Sequence, residues 1–358
     1  MRGRIEDLVK IAHEAKASDV HLVVGYPPKF RVNGALRELK ASPLTPEDCA
    51  DYASQIIGET ACKRVQECGE EDTARTIGGV RCRVNVFRQQ GVVSVALRLL
   101  ADEIPAMETL GLPKVVNRFI DMRHGMVLVT GETGSGKSTT LASVIDRICR
   151  SRPLHIVTLE DPIEYIYTAD RALVNQREVG LDTESFSDGI RAVLREDPDV
   201  ILIGEMRDPD TISNAIRAAE TGHLVFATLH TRSAAETVNR IINVFPEKQQ
   251  AQIRLELAGS LNAVVTQQLL PCLQGGRVLA AEVMMMNVGI RTLMRDNKTH
   301  QIDNAIATGS SDGSISMDNA LILLYQQGKI SRYDCVAAAR DQEYVKKNIL
   351  TPGAARLG

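Results

Sequence analysis

The sequence contains no tryptophan, and phenylalanine and tyrosine raise its aromatic content to only 4%. Proteins that hold single-stranded nucleic acid stack bases on aromatic rings, so that function is poorly provided for. Charge of one sign is missing too. With 42 Lys and Arg against 45 Asp and Glu, the formal net charge is −3, which excludes a global basic field for DNA or an anionic membrane. No apolar run approaches the roughly 18 residues that a membrane-spanning helix needs. The start, Met1-Arg2-Gly3-Arg4-Ile5-Glu6, has no apolar signal core behind it. The 7 cysteines stand at 49, 62, 68, 82, 149, 272 and 335, without a C-x-x-C pair. An odd number at irregular spacing reads as reduced thiols rather than a disulfide frame or a zinc site. These absences predict a cytoplasmic protein whose membrane association, if any, comes through a partner.

What is present is an ordinary globular composition, 44% apolar and 24% charged over 358 residues, enough for two domains or three. One stretch organises it. Met126-Val127-Leu128-Val129-Thr130 is a short apolar strand. Gly131-Glu132-Thr133-Gly134-Ser135-Gly136-Lys137-Ser138 follows, then Thr139, and Leu141, Val144, Ile145 and Ile148 at helical spacing. Strand, glycine-rich turn and helix form the setting of the G-x-x-x-x-G-K-[ST] phosphate loop. Glycines let successive N–H groups face an anion, and the helix points its positive end at the same spot. Residues 131–139 are therefore the expected nucleotide-binding segment. Lys137 is placed to reach the β- and γ-phosphates, and the Ser138 hydroxyl to hold Mg²⁺.

The first hundred residues read as a small α+β domain. A helix is expected over 5–16, with Ile5, Leu8, Val9, Ile11 and Ala12 on its apolar side, and a strand over 18–24. A hairpin is expected over 30–37, turning at Asn33-Gly34, then a helix over 46–57 and alternating strands over 80–100. Residues 101–113, with two prolines and a glycine, read as a linker. From 114 to 350 buried strands alternate with helices, which implies an α/β, doubly wound, mostly parallel sheet with nucleotide at the carboxyl ends of its strands. Beyond Ser233 the pattern is mostly helical, interrupted by a strand or two over 277–286. The Met284-Met285-Met286 run reads as core. Residues 351–358 form a small-residue tail expected to be disordered.

Triphosphate hydrolysis needs carboxylates for Mg²⁺ and the attacking water, a γ-phosphate sensor and positive charge for the transition state. Glu205 ends the apolar strand 200–203 and is the expected magnesium-organising acid. Glu160, Asp161 and Glu164 follow the strand 155–159, with Glu164 favoured to polarise water and Glu160 the alternative. His223 and His230 flank the strand 224–227 and are sensor candidates; His21 and His155 have no such support.

Taken together, the phosphate loop, Thr158-Leu159-Glu160-Asp161-Pro162-Ile163-Glu164-Tyr165, Val200-Ile201-Leu202-Ile203-Gly204-Glu205-Met206-Arg207 and the histidine box 221–231 resemble the secretion-type hexameric ATPases. Ala17-Ser18-Asp19-Val20-His21-Leu22 and Phe30-Arg31-Val32-Asn33-Gly34 extend the resemblance over nearly the whole chain. Within that family it is most similar to the type IV pilus retraction branch. Gln267-Gln268-Leu269-Leu270-Pro271-Cys272 runs into Gly276-Arg277-Val278 without the four-cysteine insert of assembly and secretion relatives. The resemblance implies a PAS-like domain over 1–100 and a RecA-like ATPase domain over 114–350. It also implies Mg²⁺-dependent ATP hydrolysis by a homohexamer that drives pilus retraction and twitching motility. Its implied partners are the cytoplasmic face of the inner-membrane pilus platform and retraction-type or assembly ATPase paralogues, and not nucleic acid. Arg83 and Arg98 match the family's phosphate-directed arginines, a role suited to a permanently charged, forked side chain. One motif departs. Gly289-Ile290-Arg291-Thr292-Leu293-Met294-Arg295-Asp296 keeps both arginines of a late retraction motif but carries Thr292 and Asp296 where Asn and Glu are usual. An auxiliary paralogue or a nucleotide-gated ring scaffold is therefore the alternative function, and a DNA-directed motor the more distant rival.

Overall fold

Alternation of apolar and polar residues shapes the first part of the chain. In this computed structural model, which describes residues 4–32, 34–100, 103–168 and 170–350, two units are distinguished. One runs up to Ile104 and includes Pro162–Ile166; the other comprises Pro105–Asp161 and the chain from Tyr167 onward. Asn33 of the expected hairpin turn, residues 101–102 of the expected linker and the tail 351–358 lie outside the described residues.

The first unit holds helix α1 (Ile5–Glu14), strands β1 (Asp19–Leu22), β2 (Lys29–Val32) and β3 (Ala35–Glu38), helix α2 (Pro46–Cys68), and strands β4 (Glu70–Ile77), β5 (Val80–Gln89) and β6 (Val92–Leu99). The strands form one antiparallel sheet in the order β3-β2-β1-β6-β5-β4. Cys82, Val84 and Val86 of β5 face a core shared with Val9 and Ala12 of α1 and Cys49, Ala53 and Val65 of α2. Residues between them, such as Arg81 and Arg83, turn to the other face. Ile11, expected on the apolar side of α1, is 45% exposed. Helix α2 starts on a capping box, with the Thr45 hydroxyl accepting from Asp48 N and the Asp48 carboxylate accepting from Thr45 N. It continues well past the expected end at residue 57. Gly58, at φ 77°, breaks its helical geometry and the chain resumes helix beyond it.

The second unit holds β7 (Gly125–Thr130), α3 (Lys137–Ser151), β8 (His155–Glu160), β9 (Leu173–Glu178), α4 (Phe186–Val193), β10 (Val200–Ile203), α5 (Pro209–Glu220) and β11 (Leu224–Leu229). These are followed by α6 (Ala234–Asn243), α7 (Glu247–Ser260), β12 (Leu261–Pro271), β13 (Arg277–Met285), α8 (Val288–Arg295), α9 (Ile302–Thr308), α10 (Met317–Gln326), α11 (Arg332–Ala337) and α12 (Gln342–Leu350). Seven strands pair in the order β13-β12-β7-β11-β10-β8-β9, all parallel except β12 with β13. This α/β, mostly parallel architecture is the expected fold class. Every residue of β7, β10 and β11 is buried, which explains why they read as continuous apolar runs rather than alternating ones. Helices α4 to α9 share one core with the sheet.

Strand β12 corrects the sequence reading, which took residues beyond Ser233 as helical. Leu261, Ala263, Val264 and Val265 are fully buried, and a buried apolar run gives the same pattern as a core helix. Met284 and Met285 of β13 are buried in the core, as expected.

Candidate nucleotide site

Parallel strands bring their carboxyl ends to one edge of the sheet, and there β7, β11, β10 and β8 lie side by side. Residues leaving those four strands make the candidate site. After β7 the loop curls through Gly131, Gly134 and Gly136 at φ 143°, 79° and 91°. Gly131 is obligatory for space as well as angle, because a Cβ there would lie 2.5 Å from Gln267 O and 2.6 Å from Ser135 Oγ. Gln267 belongs to β12, so the neighbouring strand sets the loop's inner limit. Lys137 opens α3 and is 9% exposed. Its ammonium donates to the carbonyls of Gly131 (2.9 Å) and Glu132 (3.0 Å) and stands 3.4 Å from His230 Nδ1. Glu132, Thr133, Gly134 and Ser138 are exposed, and Ser135 is buried. Gly136 and Thr139 are half-buried; Thr139 O accepts from the Ser143 hydroxyl within α3.

Glu205 follows β10 and His230 follows β11. The two strands are paired, and their exits are tied by Met206 N donating to Thr228 O at 3.1 Å and by the Thr228 hydroxyl donating to Gly204 O. Glu205 Oε1 lies 3.2 Å from His230 Nε2, and Arg207 grips the same carboxylate from Nε and Nη2, each at 2.7 Å. Lysine, histidine and glutamate therefore form one chain. Since Lys137 can only donate, the arrangement suits a His230 ring that accepts at Nδ1 and donates from Nε2 toward Glu205. Burial alone would raise the Glu205 pKa, but the hydrogen bond and charge of Arg207, with the His230 contact, outweigh it and hold the carboxyl below its ordinary range. The group is an anion at neutral pH.

Glu160 ends β8 and accepts from the Thr158 hydroxyl at 2.7 Å and from Gln176 Nε2 at 3.1 Å. Glu164 lies in the segment Pro162–Ile166 that belongs to the first unit. There Arg81 holds the neighbouring Ile163 carbonyl from Nε at 3.2 Å and Nη2 at 3.0 Å. His223 sits at the opposite, amino end of β11, where its Nδ1 lies 3.0 Å from Ala218 O at the end of α5. His155 starts β8 and bonds Asn175 at 2.9 Å. Neither histidine is at the carboxyl edge.

Arg83 and Arg98 face each other across β5 and β6. Continuing the register, Arg98 pairs with Asp19 of β1 and Asp19 with Arg31 of β2. A row of charges thus crosses the sheet on the face away from the core. Arg83 forms an ion pair with Asp72 at 2.6 Å and Arg98 with Asp19 at 3.1 Å. The Arg98 side chain is 69% exposed but its partner Asp19 only 16%, while Arg83 and Asp72 are each 41% exposed; a pair as open to water as Arg83–Asp72 is worth at most about 1 kcal/mol.

Sequence reasoning missed the supporting contacts. Arg232 pairs with Glu132 of the loop at 2.7 Å, and the buried Gln267 amide donates to Thr140 of α3 at 2.7 Å. A cavity of about 480 Å³ beside the loop is lined in part by Glu132, Gln267, Arg232, Arg277 and Arg340. Arg232 stands two residues beyond His230, which was the available signal; nothing local marks the glutamine. Among the described residues no group of three or more His, Cys, Asp and Glu is gathered to hold a metal ion.

The family model described as type II/IV secretion system protein matches residues 2–311. The type IV pilus retraction ATPase PilT of Pseudomonas aeruginosa is 43% identical over 96% of this chain and 99% of its own length. The type IV pilus ATPase PilU of the same organism is 37% identical over 93% of this chain and 88% of its own. The crystal structure of the pilus retraction motor PilT with bound ADP matches with a TM-score of 0.91 at 46% identity, covering 96% of this chain and 99% of that one. A strand-loop-helix phosphate site, an acid and a histidine on adjacent strand ends, and near full-length likeness converge: the chain belongs to the type II/IV secretion system protein family, on its PilT-type branch.

Proposed function

We propose that the protein is a hexameric motor that hydrolyses ATP, with Mg²⁺, to drive type IV pilus retraction. The observation that carries this reading is the Lys137–His230–Glu205 chain at the mouth of the phosphate loop. It joins a phosphate-binding cation to an ionised acid through a histidine that responds to movement of either. Loop amides and the start of α3 hold the β- and γ-phosphates, and Lys137 exchanges the Gly131 and Glu132 carbonyls for phosphate oxygens. The donors fit Mg²⁺, which keeps several waters and takes few protein ligands beside phosphate oxygens. The exposed Ser138 hydroxyl and the Glu205 carboxylate are hard oxygen donors, and Mg²⁺ bound there would supply neutralising charge to the phosphates.

Water then attacks the γ-phosphorus, the bond to the β-bridging oxygen breaks, and ADP and inorganic phosphate form. Glu164, or Glu160 in its place, takes the proton of that water. Arg83 and Arg98 leave Asp72 and Asp19 for the transferring group. Asp72 is a weak competitor, because an ion pair open to water contributes little; Asp19 is more enclosed, so Arg98 is the harder of the two to release. His230 senses the γ-phosphate through Lys137. Passed round a ring, the resulting motion is work on a pilus base at the cytoplasmic side of the inner membrane, with the platform protein or an ATPase paralogue as partner. No helix among the described residues is long and apolar enough to cross a membrane, so attachment through a partner is the route proposed.

The retraction reading is preferred to an auxiliary role because relatives named for pilus retraction and twitching motility are 43% and 42% identical to this chain. Lys137→Ala is the direct test. Turnover should fall by about a thousandfold or more, measured as released phosphate. Undiminished phosphate release would remove the site from the reaction. A deletion strain complemented with the chain decides the mechanical part: restored pilus retraction is expected, and ATP turnover without it would favour the auxiliary role.

A further inference from the structure

Glu282, in the middle of β13, is 1% exposed. Its Oε1 accepts from Ala234 N at 2.8 Å and from Arg340 Nη2 at 3.1 Å. Its Oε2 accepts from Arg340 Nη1 at 2.7 Å and from Met317 N at 3.4 Å. One buried carboxylate therefore pins the starts of α6 and α10 and the arginine between α11 and α12. The same Arg340 Nη2 donates to Arg232 O at 2.6 Å. Its backbone is fixed in turn, with Arg340 N and Asp341 N donating to the two oxygens of Asp318 at 2.8 and 3.0 Å.

A buried ion pair is poor evidence for stability, because desolvation offsets most of its attraction. Its value here is where it points. Arg340 grips the carbonyl of Arg232 and Glu282 grips the amide of Ala234. Both ends of the three-residue turn from Arg232 to Ala234 are thereby clamped. Glu236 Oε2 accepts Arg232 N at 2.8 Å, and the Arg232 guanidinium reaches Glu132 of the phosphate loop at 2.7 Å. His230, which touches Lys137 and Glu205, is two residues before this turn. We infer that Glu282 and Arg340 are positioning residues for hydrolysis, holding the turn after β11 so that His230 stays in register between Lys137 and Glu205. The inference rests on the ATP-hydrolysis reading of the site; Glu282 is buried away from the cavity, and Arg340, which lines the cavity beside the loop, is assigned its part through the Arg232 carbonyl it holds. It predicts that loosening the clamp harms the chemical step more than binding, since misplacement of about 1 Å in a supporting group costs on the order of a hundredfold in rate.

The test uses the full chain with Arg340→Gln, Arg340→Lys, Glu282→Gln and the double variant Glu282→Gln/Arg340→Gln. Steady-state MgATP hydrolysis, affinity for a fluorescent ATP analogue and amide hydrogen exchange are measured on each. Arg340→Gln should lower kcat by about tenfold or more while KM stays within about threefold. Exchange over 231–236 should rise while exchange in β7 and β10 is unchanged. Arg340→Lys keeps the charge and loses the fork, so it should fall between wild type and Arg340→Gln; it also serves if Arg340→Gln does not fold. The double variant should lose no more than the worse single one, because the two residues act as a unit. Wild-type kcat and unchanged exchange in Arg340→Gln would overturn the inference, as would a loss confined to KM. A wild-type chain that released no phosphate would defeat the ATPase reading instead, and the exchange experiment alone would then decide whether the pair holds the turn.

Discussion

Three acids compete for one role, and their surroundings separate them. Glu205 is gripped by Arg207 on both oxygens and touched by His230, an environment that keeps it ionised but leaves little of its basicity for a proton. That suits an acid that organises a cation and orients a histidine. Glu160 has one oxygen occupied by the Thr158 hydroxyl and Gln176, so it is partly committed to the end of its own sheet. Glu164 lies on an irregular segment beside the carbonyl that Arg81 holds. The expected ranking after Glu→Gln substitution follows. Glu164→Gln should bind ATP normally and lose at least about a hundredfold in kcat, the usual contribution of a general base. Glu205→Gln should impair both Mg²⁺ dependence and kcat, and Glu160→Gln should have the smallest effect. Single-turnover hydrolysis with a fluorescent ATP analogue checks all three. Near-normal turnover in Glu164→Gln beside a dead Glu160→Gln would transfer the water-activating role.

At the scale of the element, the phosphate loop is the case where local sequence settles local structure. Gly131 and Gly134 both have positive φ, but for different reasons. Gly134 has open space where a Cβ would stand, whereas Gly131 is hemmed in by a backbone oxygen of β12. Gly134→Ala should therefore cost about 1 kcal/mol of conformational strain. Gly131→Ala must also displace the loop from Gln267, and should lose several kcal/mol and most nucleotide affinity. Thermal unfolding and nucleotide titration of the two variants check the contrast. The loop and its flanks were legible because each signal is short in sequence: a buried strand, glycines at fixed offsets and a helix with an apolar stripe. The same held for Glu205 and His230, at the ends of apolar runs. Strand β12 was not legible, because its buried run has no period that separates strand from helix. Strand β4, Glu-Glu-Asp-Thr-Ala-Arg-Thr-Ile, escaped for the opposite reason, since only its later half is buried. The Glu282–Arg340 and Glu132–Arg232 pairs join residues far apart in the chain. They depend on strand order in the sheet, which no local pattern encodes.

For the whole molecule the question is whether protomers fire alone or in relay. A single chain carries the phosphate loop, the acids and the histidine on one sheet edge. Its candidate phosphate-directed arginines, Arg83 and Arg98, occupy a different unit, where Arg83 pairs with Asp72 and Arg98 with Asp19. A guanidinium can exchange a carboxylate partner for a phosphate, and motion follows if that exchange is tied to hydrolysis in a neighbouring copy. Independent protomers and a coupled ring then differ in one measurable way. Rings assembled from mixtures of wild-type chain and Lys137→Ala chain should lose activity more steeply than the wild-type fraction falls, because one silent protomer stalls the next. A linear decline would mean that each copy hydrolyses ATP by itself and that the ring merely collects them. The mixture must be dissociated and reassembled before assay, and its size checked by light scattering, so that linearity cannot arise from unmixed rings. A second mixture, of Lys137→Ala chain with Arg83→Ala/Arg98→Ala chain, sharpens the result. If the arginines act on a neighbour's nucleotide, each inactive chain supplies what the other lacks and partial turnover returns. If they act within their own chain, the mixture stays silent, and the relay must be carried by contacts other than these two side chains.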